Sequence, residues 1–188
     1  MKFTPEITIA FWNAWWFVIA YIIVNVIPIF YYPKHFSKRV FTIPKFGNRK
    51  ERMLSMLNFF FYFGTIGFSI FLPMKLHTNW LLTGLIVSII GFILYTLSMI
   101  NFATTPPDQP VTKGVYRISR NPMQVTAILI WTGVGITTAS WIILLFCILQ
   151  GIFSYPSMVA QERFCIKKYG EPYLEYMKKS PRYLIFFQ

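Results

Sequence analysis

"NPMQVTAILIWTGVGITTASWIILLFCILQGIFSYPSMVAQ", residues 121–161, runs for about 41 positions without an Asp, Glu, Lys or Arg. A hydrocarbon core about 30 Å thick takes roughly 20 helical residues to cross. The run is therefore too long for one crossing and right for two. A tight bend near Gly133-Val134-Gly135 or over Thr137–Ser140 turns it into a helical hairpin. Three further uncharged runs, Ile7–Tyr32, Met53–Met74 and Thr78–Pro107, each fit one crossing. The expected fold class is an all-α integral membrane protein with five transmembrane helices, at about 7–30, 53–74, 78–103, 122–137 and 141–160. The last two form the hairpin, and a short cytosolic amphipathic C-terminal helix follows. Residues 1–188 read as a single membrane domain.

Composition agrees. Of the 188 residues, 55% are hydrophobic and 13% charged, where a soluble domain carries about 25% charged residues. The first run is too long for a signal peptide, carries Trp12, Trp15, Trp16 and Tyr21, and has no small-x-small cleavage site after it. It reads as a retained span.

The net charge of +12 could suggest nucleic acid, but its distribution points to a membrane. Basic residues concentrate between the first two spans (Lys34, Lys38, Arg39, Lys45, Arg49, Lys50, Arg52), in the third loop (Lys113, Arg117, Arg120) and in the tail (Arg163, Lys167, Lys168, Lys178, Lys179, Arg182). Only Lys2 and Lys75 fall on the other side, so alternate sides carry 16 and 2 basic residues. The excess of Lys and Arg on the cytosolic side then predicts an outside amino terminus and a cytosolic tail. A prokaryotic plasma membrane is the expected location rather than endoplasmic reticulum. Anionic lipid headgroups are the expected partners of the exposed basic residues.

Several classes of chemistry are excluded. Cys147 and Cys165 have no metal spacing, and the only two histidines, His35 and His77, fall on opposite expected sides. No metal is expected. No phosphate-binding glycine loop or Ser-His-Asp set is present. No charge lies deep in a span, which argues against an ion pathway. Asn13, Asn25, Asn58 and Gln150 are the polar residues inside spans, with interhelical hydrogen bonding as their expected use.

Two polar clusters remain, at 101–124 and 160–183. In the first, "PVTKGVYRISRNPMQ" (110–124), Gly114 suits a turn, and Asn121-Pro122 reads as a helix start with Asn as the cap. A helix start offers free N–H groups to a carboxylate or phosphate. The second, "AQERFCIKKYGEPYLEYMKKSPRY" (160–183), begins where the fifth span ends. Because a hairpin returns the chain to the side it left, Asn121 and Glu162 are expected to be neighbours.

Together the clusters resemble the isoprenylcysteine carboxyl methyltransferase family and its relatives, the membrane phospholipid methyltransferases. That family shows Gly-x-Tyr, Arg-His-Pro-x-Tyr, an uncharged hairpin, Glu-Glu, and Phe-Gly-x-x-Tyr-x-x-Tyr before a Pro. The matching residues are Gly114-Val115-Tyr116, Arg120-Asn121-Pro122-Met123-Gln124, Gln161-Glu162, Tyr169-Gly170 with Tyr173 and Tyr176, and Pro181. Asn121 stands where the family has His, Gln124 where it has Tyr, and Gln161 where it has the first Glu.

The resemblance implies S-adenosylmethionine as cofactor, S-adenosylhomocysteine as its product, and a lipidic acceptor entering from the bilayer. It implies cofactor contacts from Gln109, Pro110, Val111, Tyr116, Asn121, Pro122, Met123, Gln124, Gln161 and Glu162. The expected catalytic residues are Arg120, whose planar fork suits an anionic acceptor, and Glu162, which is expected to face ligand rather than a buried partner. The acceptor is expected to be a prenylcysteine-like carboxylate or a similar O or S nucleophile. The alternatives are a phospholipid or other amine, or a non-catalytic scaffold keeping the fold. Sterol reductases, similar in this half, would have more than five spans.

Overall fold

The computed structural model describes residues 7, 9–32, 36, 39–40, 42 and 44–183. Lys2, Lys34, His35 and Lys38, used in the charge and metal arguments, lie outside the described residues. Among the described residues the chain is helical, with one isolated bridge and no strand. The helices are α1 (Trp15–Tyr31), α2 (Arg49–Ser69), α3 (Asn79–Ala103), α4 (Pro122–Thr137), α5 (Trp141–Phe153), α6 (Tyr155–Tyr169) and α7 (Glu171–Lys179), with a 3-10 turn at Gly114–Arg117.

Two stretches are long and apolar enough to cross a membrane, Asn79–Ala103 and Trp141–Tyr169; α1 and α4 are apolar but shorter. Exposure follows the pattern of a lipid-facing bundle. On α3, Leu82, Ile86, Ile89 and Ile93 point outward while Gly84, Ser88 and Gly91 are buried. On α5, Leu145, Ile148 and Ile152 are exposed and Gln150 is fully buried. Water would penalise such an apolar exterior.

The small residues on α3 serve its contact with α4, the most extensive helix pairing in the molecule. A Cβ on Gly84 would stand 2.4 Å from the backbone nitrogen of Thr137 and 2.6 Å from the carbonyl oxygen of Gly133. A Cβ on Gly133 would stand 2.5 Å from the nitrogen of Ser88. Small residues let backbones approach where lipid supplies no hydrophobic drive between helices. The Ser88 hydroxyl adds a hydrogen bond to the Ile130 carbonyl at 3.1 Å.

The hairpin bends at Thr138–Ser140, not at Gly133–Gly135, because those glycines are spent inside α4 on close helix contacts, Gly133 with α3 and Gly135 with Ile143 and Leu144 of α5. Ala139 takes a positive φ of 50° to make the turn.

Three expected boundaries shift. The first helix starts at Trp15 rather than near residue 7, because residues 12–14 pair elsewhere. The Ala14 N–H donates to the Leu72 carbonyl and the Met74 N–H to the Trp12 carbonyl, both at 2.9 Å. The same pairing ends α2 at Ser69 rather than 74. At its other end α2 starts early, at Arg49, because the Asn48 side chain accepts from the Glu51 N–H (2.8 Å) and the Glu51 carboxylate accepts from the Gly47 N–H (2.8 Å); these reciprocal caps satisfy donors that a helix start leaves free. The fifth apolar segment is divided at Ser154 into α5 and α6. Pro156 lacks the N–H that would continue the ladder, and α6 carries the chain on to Tyr169.

The polar residues inside the bundle divide. Asn25 accepts from the Tyr95 hydroxyl at 2.7 Å, in a chain that runs on through Tyr21 and Tyr62 and ties α1, α2 and α3. Asn13 donates to the Ile70 carbonyl. Gln150 departs from the expectation: among the described residues neither of its buried amide atoms has a partner, and the same holds for Asn58 Oδ1.

Candidate functional site

At the end of the bundle where the basic residues gather, the third loop, α6, α7 and the tail converge. The Pro-rich stretch after α3 leads to Gly114, whose φ of 58° sets the 3-10 turn. A Cβ at Gly114 would lie 2.1 Å from Asn101 Nδ2, so a side chain there would have to displace Asn101 as well as adopt the strained positive φ. The turn directs Tyr116 inward. It is buried with Val111, Tyr173 and Tyr176, and the Tyr176 hydroxyl donates to the Tyr116 carbonyl at 2.6 Å. Burial raises the pKa of all three tyrosines, so each keeps its proton at neutral pH. They therefore act as neutral walls.

These walls enclose a cavity of about 250 Å³. Its lining includes Pro110, Val111, Tyr116, Asn121, Pro122, Met123, Gln124 and Gln161, eight of the ten residues expected to touch cofactor. The two sequence clusters, separated by the whole hairpin, thus meet on one space. Gln124 Nε2 is buried without a partner among the described residues.

Gln109 and Glu162 do not line the cavity. Gln109 is exposed, and its carbonyl accepts from Arg39 at 3.1 Å. Glu162 is 3% exposed and already satisfied by two guanidinium groups. Arg182 Nε and Nη2 donate to its two oxygens at 3.0 and 2.7 Å, and Arg120 Nε lies 3.3 Å from Oε1. The expectation that Glu162 faces ligand is corrected on this point, since a carboxylate taken out of water needs charged partners. Asn121 and Glu162 are joined through Arg182: its side chain pairs with Glu162, while its carbonyl accepts from Asn121 Nδ2 at 3.2 Å. Asn121 stands at the cap position, but its side chain makes no cap bond, because it is turned to the tail.

Arg120 lines the cavity. Its backbone N–H donates to the Pro181 carbonyl at 2.8 Å, and Nη1 donates to the Met177 carbonyl at 3.3 Å. Arg117 is exposed and contributes only its carbonyl, to Ser180.

Sequence reasoning missed two contributors. Arg182 was counted only as a basic tail residue, though its place after Pro181 near the Glu162 cluster was a usable signal. Arg39, Val40, Thr42 and Pro44 reach the cavity from the segment between α1 and α2; no motif marks them.

Such an arrangement, an aromatic and partly basic cavity at one end of a helical bundle with an apolar exterior, is that of a helical membrane protein. Residues 80–172 match the phospholipid methyltransferase family model. This stretch of the chain belongs to that family, among the membrane methyltransferases that include the isoprenylcysteine carboxyl methyltransferase kind. No curated protein matches the chain.

Proposed function

We propose that the protein is an S-adenosylmethionine-dependent methyltransferase acting on a lipidic acceptor, with the aromatic cavity as its cofactor site. The observation that carries this reading is the convergence of eight motif residues, from both ends of the hairpin, on one cavity. The residues present suit the cofactor. The buried, unpartnered Gln124 Nε2 is a donor waiting for an acceptor, since such a group costs stability until it is paired. The faces of Tyr116, Tyr173, Tyr176 and Phe102 favour a sulfonium and can stack on adenine. Bound there, S-adenosylmethionine supplies an electrophilic methyl group.

The chain's own residues then need to align and dehydrate more than to move protons. Arg120, fixed by Glu162 and the Met177 carbonyl, directs an anionic group of the acceptor. Among the described residues the cavity lining holds Arg39 and Arg120 and no acid, which suits an anionic acceptor group better than an acceptor carrying a free ammonium. A prenylcysteine-like carboxylate meets that requirement directly. The family match favours the second reading, a phospholipid amine, whose phosphodiester can use the same guanidinium; its amine must reach the site already neutral.

The reading places this end of the bundle in the cytosol of a five-span protein, beside anionic headgroups. Titration of S-adenosylhomocysteine into detergent-purified protein is expected to give saturable binding, weakened about tenfold by Gln124→Leu, which removes the donor. A flat titration of the wild type would leave the non-catalytic scaffold as the better reading. Where binding is found, transfer of labelled methyl to prenylcysteine analogues or to phosphatidylethanolamine decides the acceptor.

A further inference from the structure

The cavity is incomplete without a residue that lies outside the matched stretch 80–172. Arg39 sits in the segment between α1 and α2, where its backbone is helical, and lines the cavity. Its guanidinium lies 4.6 Å from the ring centre of Phe102 and 6.0 Å from that of Tyr169. Its Nη1 donates to the Thr105 carbonyl at 3.0 Å and, more weakly, to the Pro106 carbonyl at 3.4 Å; Nη2 donates to the Gln109 carbonyl at 3.1 Å.

The sequence explains why that segment needs an outside donor. "TTPPDQP" (104–110) follows α3, and its first two residues bond back to the helix, Thr104 to the Ile100 carbonyl and Thr105 Oγ1 to that of Asn101, so the segment's own carbonyls need donors from elsewhere. Pro106, Pro107 and Pro110 have no N–H to offer, so the segment can do little to satisfy itself. One internal bond forms, from the Gln109 N–H to the Pro106 carbonyl at 3.2 Å. Lys113 and the Tyr169 hydroxyl reach other carbonyls, of Thr104 and Pro107, at 3.3 and 3.5 Å. Arg39 serves the carbonyls of Thr105, Pro106 and Gln109, and its positive charge suits the negative end of α3. A planar fork can serve several carbonyls while stacked on a ring; a lysine ammonium is a point charge and cannot hold the same set.

We propose that Arg39 is a positioning residue for the cofactor cavity. By fixing Thr105–Gln109 against Phe102 and Tyr169, it sets the wall from which Pro110 and Val111 face the ligand. The inference rests on the methyltransferase reading for the ligand's identity, but the ordering of the wall can be tested without any ligand.

The experiment compares wild type, Arg39→Lys and Arg39→Gln in detergent. It uses three readouts: calorimetric titration of S-adenosylhomocysteine, the ligand-free unfolding midpoint, and the rate at which Cys165 in the cavity lining is alkylated, followed by mass spectrometry. Lysine keeps the charge near the thiol, so a faster rate in Arg39→Lys reports access. The expected result is affinity weakened about five- to tenfold in Arg39→Lys and more in Arg39→Gln, faster Cys165 alkylation in Arg39→Lys, and a midpoint within about 2 °C of wild type. Wild-type affinity in Arg39→Lys would overturn the inference and leave the methyltransferase reading standing. A midpoint that falls in step with affinity would also overturn it, making Arg39 a general stabiliser. If the wild type binds no S-adenosylhomocysteine, the functional reading fails, and unchanged Cys165 alkylation would then remove the positioning role as well.

Discussion

Two contacts in this molecule bring distant segments together by opposite means. Between α3 and α4 the backbones meet because side chains are missing, at Gly84, Gly91 and Gly133. Between α6, the tail and the start of α4, the elements meet because side chains carry charge, in the set Arg120, Glu162 and Arg182. The first contact lies among apolar helices, where a charge is expensive and close packing is the available glue. The second lies at the end of the bundle, where a guanidinium can keep one side toward water and the other on a buried carboxylate. A small-residue contact tolerates no added atom. A charge-paired contact tolerates changes of size but not of charge.

The largest effect is expected from breaking the first contact. In Gly84→Val the Cβ alone meets Thr137 and Gly133 backbone atoms at 2.4 and 2.6 Å, and neither can rotate away. The two helices must separate, at a cost on the order of 3 kcal/mol, the upper part of the range for overpacking. Thermal unfolding in detergent should show a midpoint many degrees lower. Gly151→Ala is the control, because its added Cβ meets only Ile128 Cδ1 at 3.9 Å. Equal midpoints for the two variants would mean that close approach does not limit this interface.

A smaller loss is expected from Glu162→Gln. The neutral amide keeps the shape but leaves Arg120 and Arg182 without their shared anion. Removing one partner of a fully buried pair costs 3–5 kcal/mol; with Arg182 about a quarter exposed, about 2 kcal/mol is the fitting figure. Glu162→Asp should recover part of it, which a size-limited contact would not do. Ligand affinity should fall too, through a displaced Arg120. If the unfolding midpoint of Glu162→Gln stays at the wild-type value, the cluster is not what holds the tail.

How far these contacts could be read beforehand follows from their physics. The spans rest on runs of uncharged residues, a signal summed over 20 positions, so the apolar segments were legible. Boundaries depend on single hydrogen bonds, and the pairing of residues 12–14 with 72–74 that delays α1 has no local pattern. The glycine contact was half legible: Gly133 stood out, but as part of a bend, since one chain does not say which helix faces it. The motif residues from Pro110 to Gln124 could be placed at a site because they are contiguous and carry a family's order. Arg39 could not, because its partners are backbone carbonyls, which every residue has. Glu162 was found and its neighbours were not, since a lone acid in a basic tail has several candidate partners.

The smallest effect sharpens the charge side of the comparison by moving it to the surface. Glu51, near the start of α2, pairs with Arg163 on α6, with Nη1 to Oε1 at 3.0 Å. The Arg163 hydrogen bonds, followed by that from the Gly47 N–H, lower the carboxyl pKa from 4.5 to about 2. A carboxyl with a lowered folded-state pKa stabilises the fold above its unfolded value and loses that contribution as pH falls. The pair's support is therefore complete above about pH 5, declines between 4.5 and 2, and is indifferent to pH from 6 to 8. It is also open to solvent, so it should be weak and screened by salt. Wild type and Glu51→Gln should differ by a small midpoint shift at pH 6 in low salt. The gap should shrink at pH 3 and again in about 1 M salt, whereas the gap produced by Glu162→Gln at pH 6 should survive the salt because that pair is buried. If salt erased both gaps alike, burial would not be what distinguishes the two pairs, and the Glu162 cluster would have to be treated as a surface contact.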